Sequence, residues 1–143
     1  MGATGLSSFD KTIDKTNRVL KEIEQTHGWS KDQRNMSYDA LRAVLHALRD
    51  RLTVDESAQL AAQLPLLIRG MFYEGWDPSR VPVKMDKEQF LRSVRHEFPH
   101  ETDGGTERLV SSVLQALRHH VSKGEWEDVR SSLSRDLRPL IPA

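Results

Sequence analysis

Phe9, Ile13, Thr16, Leu20 and Ile23 follow one another at alternating steps of four and three residues, which lays them along one stripe of a helix. The stripe predicts a first helix that starts at a Ser7 cap and stops at Gly28. Leu41, Val44, Leu45, Leu48 and Leu52 repeat the pattern among strong helix formers, and Ser30 with Gln33 offers a cap and its reciprocal partner. A second helix is predicted from Ser30 or Ser37 to Leu52. Thr53-Val54-Asp55-Glu56 then reads as a capping box opening a third, shorter helix. Inside a continuous helix Pro65 would clash with the carbonyl four residues earlier. Leu64-Pro65 is therefore read as a break, with the proline first in a fourth helix ending at Gly70; a single kinked helix is the alternative.

Residues 74–85 carry Gly75, Pro78 and Pro82 and cannot continue a helix. Asp86 with Gln89 restarts helical spacing through Phe90, Val94 and Phe98, and Pro99 with Asp103-Gly104-Gly105 ends it. A further helix is predicted from Thr106 to Val121.

Sliding the chain against itself by 69 positions lays Val44-Leu45-His46-Ala47-Leu48-Arg49 over Val113-Leu114-Gln115-Ala116-Leu117-Arg118. At the same offset Leu52 meets Val121, Glu56 meets Glu125, Leu60 meets Val129, Leu64 meets Leu133, and Arg69 meets Arg138. Ser122-Lys123-Gly124-Glu125 repeats the capping signal, and Ser134 replaces Pro65 as a helix-starting residue. Two amphipathic sets that cannot be buried alone predict one shared core, because two repeats are too few for an open solenoid. The expected fold is all-α, a compact bundle of about seven or eight helices in two pseudo-repeated halves. Its parts are a loose N-terminus (1–8), a first half (9–73), an aromatic and proline-bearing connector (74–85) and a second half (86–141).

The stretch from Leu41 to Trp76 contains Leu-Arg-Ala-Val-Leu-His-Ala-Leu-Arg-Asp-Arg-Leu, then Ala-Gln-Leu-Pro-Leu-Leu-Ile-Arg-Gly, then Tyr-Glu-Gly-Trp-Asp-Pro. In this punctuation the chain resembles the bacterial family known as Domain of Unknown Function 2267, over about residues 9–141. The resemblance implies helical content and brings no activity with it. Leu133-Ser134 departs from the Leu-Pro punctuation, which bears on that one helix break.

Composition narrows the function classes. The 143 residues are 37% hydrophobic and 29% charged, the mix of a folded chain with a well-solvated surface. Lys and Arg number 21, as do Asp and Glu, so no global field draws in nucleic acid or anionic membranes. The absence of cysteine excludes disulfides, thiolate metal sites and a Cys nucleophile, and a cytoplasmic setting is expected. Met1-Gly2-Ala3-Thr4-Gly5-Leu6 lacks a signal-peptide run, and Leu6 stands where a myristoylation motif needs Ser or Thr, so neither export nor anchoring is expected. The apolar run Leu64 to Ile68 contains a proline and is far shorter than the roughly 20 residues of a membrane span.

Candidate chemistry is sparse. His96-Glu97-Phe98-Pro99-His100 spells the zinc-protease string, in which two histidines one helical turn apart hold the metal. Pro99 interrupts that turn and Phe98 completes an apolar stripe, so a helix end is the reading and no metal or cofactor is expected. His119-His120 and His46 offer imidazoles, but adjacent helical residues diverge by about 100°, and a histidine near a helix C-terminus suits the dipole there. Arg42, Arg49 and Arg51, with Arg118, His119 and Lys123, make basic ends beside Asp50, Asp55 and Glu56, which reads as a mixed solvated face. Arg69 and Arg138 are expected to bind free carbonyls at short-helix ends and to pair with a carboxylate of the other half.

The aromatic connector stands apart. Phe72, Tyr73, Trp76, Asp77, Pro78 and Arg80 form a candidate interaction surface, with Trp76 either a plug over the core or a rigid anchor. With no phosphate loop, nucleophile elbow, calcium loop or dinucleotide fingerprint, the expectation is a non-enzymatic interaction or regulatory module. Its partner would be a protein or a second copy. The alternative is a small-molecule or metal-binding protein using a cleft between the halves, near His46, His119 or His96.

Overall fold

A computed structural model describes residues 3–143, so residues 1 and 2 of the expected loose N-terminus lie outside the described residues. Seven α-helices follow in order: α1 (Ser7–His27), α2 (Arg34–Arg51), α3 (Val54–Ala61), α4 (Leu66–Tyr73), α5 (Lys87–Glu97), α6 (Gly105–Arg118) and α7 (Lys123–Ser132). Short 3₁₀ turns occupy Lys31–Gln33 and Arg138–Leu140, and no strand occurs among the described residues. No helix is long and apolar enough to cross a membrane.

Local chemistry sets most of these boundaries. Gly28 adopts the left-handed backbone (φ +70°) that ends α1. Ser30 and Gln33 form their reciprocal cap, but over the 3₁₀ turn that leads into α2. Thr53 and Glu56 cap α3 in both directions, as Asp86 and Gln89 cap α5. The chain breaks at Pro65, whose extended backbone precedes α4, so the kinked alternative is set aside.

The core is organised around α2. Every residue from Ala43 to Arg49 is buried, so this helix is covered on all sides and not along one stripe. It packs against α1, α4, α5 and α6, and Ala40, Ala43 and Ala47 leave room for close approach. Fully buried Leu41, Leu45 and Leu48 are each worth roughly 2–5 kcal/mol relative to alanine. In the second half, α6 packs on α1, α2 and α5, and α3 meets α7.

Several expectations are corrected. Ser7 lies inside α1 and caps nothing; the helix start is instead tied by Thr4, whose hydroxyl donates to the Asp10 carboxylate at 2.6 Å. Phe9, counted in the apolar stripe, is 49% exposed because no element packs over the first turn of α1 on that side. α4 runs through Gly70 to Tyr73, since packing on α2 outweighs the helix-weakening glycine. α6 spans Gly105–Arg118, one residue earlier at its start and three shorter at its end than expected. Ser134 starts no α-helix: the chain there makes turns and one 3₁₀ segment, without the fixed φ that proline supplies at position 65.

Candidate functional site

A recess of about 820 Å3 lies where the start of α1, the α3–α4 turn and the end of α6 converge. The Pro65 break turns the chain so that the Leu67 amide donates to the Thr12 hydroxyl at 3.0 Å, docking α4 onto α1. Arg69 reaches back and donates to the Ala61, Ala62 and Leu64 carbonyls at 2.8, 3.2 and 3.3 Å, which satisfies the free end of α3. The Gln63 side-chain oxygen accepts from the Ser122 amide at 2.6 Å and joins the two halves across the floor.

Charge in this recess is one-sided. Lys11 and Lys15 of α1, Arg69, and His119 and His120 after α6 line it, and no carboxylate does. Burial lowers the His120 pKa from its ordinary value, and the charges of His119, Lys15 and Arg18 lower it further against a weaker opposite pull from Glu22. Glu22 lies 3.4 Å from the outer nitrogen of His119. Among the described residues neither lysine nor Arg69 is paired with a carboxylate, which corrects the expected cross-half pairing of Arg69 and likewise of Arg138.

The histidine expected near a cleft, His46, is elsewhere. It is buried in α2, with Nδ1 at 2.9 Å from the Glu97 carboxylate and Nε2 at 2.7 Å from the Met71 carbonyl. Both ring nitrogens face acceptors, so the ring makes both bonds only when each nitrogen carries a proton. Arg42 joins Glu97 at 3.1 Å and Glu74 at 2.7 Å. Glu97 of the zinc-protease string is thus a structural anchor. α5 ends at Glu97, so His96 and His100 do not share a helical turn, and His100 lies edge-on to the buried Phe98 ring.

Arg49, also buried in α2, donates to the Phe72 and Glu74 carbonyls at 3.0 and 2.7 Å and to Asp50 at 2.9 Å. These bonds fix the connector. Phe72, offered as surface, is fully buried because α4 extends under it and packs on α2, and it leaves the candidate surface. Tyr73 and Trp76 are half-buried and pack at 5.1 Å, while Asp77, Pro78 and Arg80 are exposed. Asp77 accepts from the Ser79 amide and hydroxyl at 3.0 and 2.6 Å, a local turn.

Sequence reasoning missed Lys11, Lys15, Thr12 and Gln63. The one available signal was the four-residue spacing of the two lysines, which puts them on one face of α1.

The sequence model of a family described as Uncharacterized conserved protein (DUF2267) matches residues 16–140. A search of the curated proteins finds no match.

Proposed function

The chain belongs to the DUF2267 family of uncharacterised conserved proteins, and from that premise we propose that it is a non-enzymatic binding module whose ligand enters the recess between its two halves. The observation that carries this reading is the volume of about 820 Å3, within the roughly 300–1,000 Å3 of small-molecule sites, on a surface whose other charged groups are largely matched in sign. Duplicated architecture belongs to the same reading. It is supported by Arg69 and Arg138, which bind carbonyls at matching positions: Ala62 and Leu64 in one half, Ser131 and Leu133 in the other. A crevice between two such halves is a natural ligand site, and a regulatory role in the cytoplasm fits a module without catalytic groups.

The test is a thermal-shift screen of the full chain against neutral, cationic and anionic metabolites, with amide chemical shifts locating each hit. At least one compound is expected to raise the melting temperature and to perturb residues 8–15, 62–69 and 119–122. A screen with no hit in those segments defeats the reading.

A second reading, a protein or self-association surface at the connector, is favoured by one observation: the indole N–H of Trp76 is buried with no partner among the described residues, beside the partly exposed Tyr73 ring. Pull-down with Trp76→Ala and Tyr73→Ala separates the two, since unchanged capture removes the connector from consideration.

A further inference from the structure

We infer that the recess between the halves is a site for a phosphorylated small molecule, held by Lys11, Lys15, Arg69 and His120. This rests on the binding reading above and names its ligand class. Lys11 and Lys15 stand one turn apart on α1, an arrangement that sets two like charges side by side on one helix face. His119 and His120 face them from the end of α6, and Arg69 enters from α4. In a chain with 21 cationic and 21 anionic side chains, a lining that gathers cations and excludes carboxylates is a local imbalance that an anion would relieve.

The usual negative groups of such a place are already occupied. The carbonyls ending α3 are taken by Arg69, and those of Leu117 and Arg118 at the end of α6 accept from the His120 and Val121 amides. Arg69 keeps Nη1 free of partners among the described residues, and the hydroxyls of Ser8 and Ser122 also border the recess. Phosphate, with nearly two charges and three acceptor oxygens, matches several donors at once. Leu66 and Val121 give an apolar wall for the rest of a ligand, and the volume far exceeds one phosphate.

His120 is held below its ordinary pKa first by burial and then by the charges of His119, Lys15 and Arg18, which outweigh the opposite pull of Glu22. Burial is the larger cause, so these charges are an accompaniment and the geometry carries the case.

The experiment is an amide-resolved NMR titration of the full chain at low ionic strength with inorganic pyrophosphate, adenosine 5′-diphosphate and adenosine. Pyrophosphate and the diphosphate are expected to shift residues 8–15, 62–69 and 119–122 to saturation, and adenosine is not. The Lys11→Gln/Lys15→Gln double variant, both changes on an exposed helix face, should keep the parent melting temperature and weaken pyrophosphate by about tenfold or more. Unsaturable shifts scattered over basic side chains, or equal affinity in the variant, overturn the proposal. A neutral compound that saturates the same amides when pyrophosphate does not would overturn the anion class and leave the binding reading standing. Tighter binding of a single-stranded oligonucleotide than of pyrophosphate at 150 mM salt would also overturn it.

Discussion

The end of α2 and the end of α6 are both buried against the core, yet one is sealed and the other open. After α2, the segment carrying Asp77, Arg80 and Val81 folds over Asp50 and leaves only about 70 Å3, with the Val83 amide donating to the Asp50 carbonyl at 2.7 Å. At the end of α6 the neighbouring segment is the first part of α1, where Ser8, Lys11 and Thr12 border the recess of about 820 Å3 beside His119. Charge follows the same contrast: Asp50 and Asp77 balance Arg49 and Arg80 where the chain closes, whereas Lys11, Lys15 and Arg69 have no carboxylate partner among the described residues where it opens. The difference lies in whether the neighbouring segment is a non-helical connector that folds inward over the helix end or a helix held straight by its own hydrogen bonds.

The largest expected effects test whether the halves share one core. Leu48 and Leu117 are in register and both buried, so Leu48→Ala and Leu117→Ala should each cost roughly 2–5 kcal/mol in urea unfolding. If either is tolerated, the comparison fails at its base.

The next effect separates the halves. His46→Ala removes the ring bonds to the Glu97 carboxylate and the Met71 carbonyl, leaving them only Arg42 and the Glu74 amide, and opens a buried space, so it should cost about 2–3 kcal/mol. Gln115 occupies the register position with no such bonds, and Gln115→Ala should stay within about 0.5 kcal/mol. Equal costs would mean that the difference between the helix ends is not made by these side chains.

Smaller again are the caps. Thr53→Ala removes the hydroxyl arm of a reciprocal cap, leaving the Glu56 amide without its acceptor, and should cost about 1 kcal/mol; Ser122→Ala removes the corresponding bond to the Glu125 amide and should cost a similar amount. Thermal unfolding of both variants compares them.

Acid sharpens the contrast without a large energy. The His120 pKa is lowered chiefly by burial, so the unfolded chain takes up that proton first and stability should begin to fall as pH drops below the ordinary value of 6.5. His120→Gln should remove its share of this decline and leave the share of His27, whose pKa burial also lowers. The Glu24 pKa is also lowered: burial pushes it up, but hydrogen bonds from Arg34 and Ser37 and the Arg34 charge outweigh burial. Its contribution is complete above its ordinary value of 4.5 and is lost as pH falls below it, a separate window that Glu24→Gln should erase in acid denaturation curves.

Elements bounded by short-range chemistry were legible in the sequence. Thr53 with Glu56 and Asp86 with Gln89 act across three residues, so the capping boxes at α3 and α5 follow directly from spacing. The Ser7 cap failed because Thr4 and Asp10, outside the expected pair, tie that end. The candidate surface lost Phe72 because the length of α4 depended on its packing against α2. The recess itself was hardly legible, since Lys11, Gln63 and His119 are far apart in sequence and each alone reads as solvated surface.

By itself the sequence determined that the chain is helical, where most helices begin and which leucines are buried, because those depend on hydrogen bonds and apolar spacing within a few residues. Only the tertiary structure decided that α2 is covered on every face, that His46 meets Glu97 across 51 residues, and that one helix end opens into a cationic recess. Those outcomes depend on how distant segments fill or leave space beside one another, and no local pattern encodes that choice.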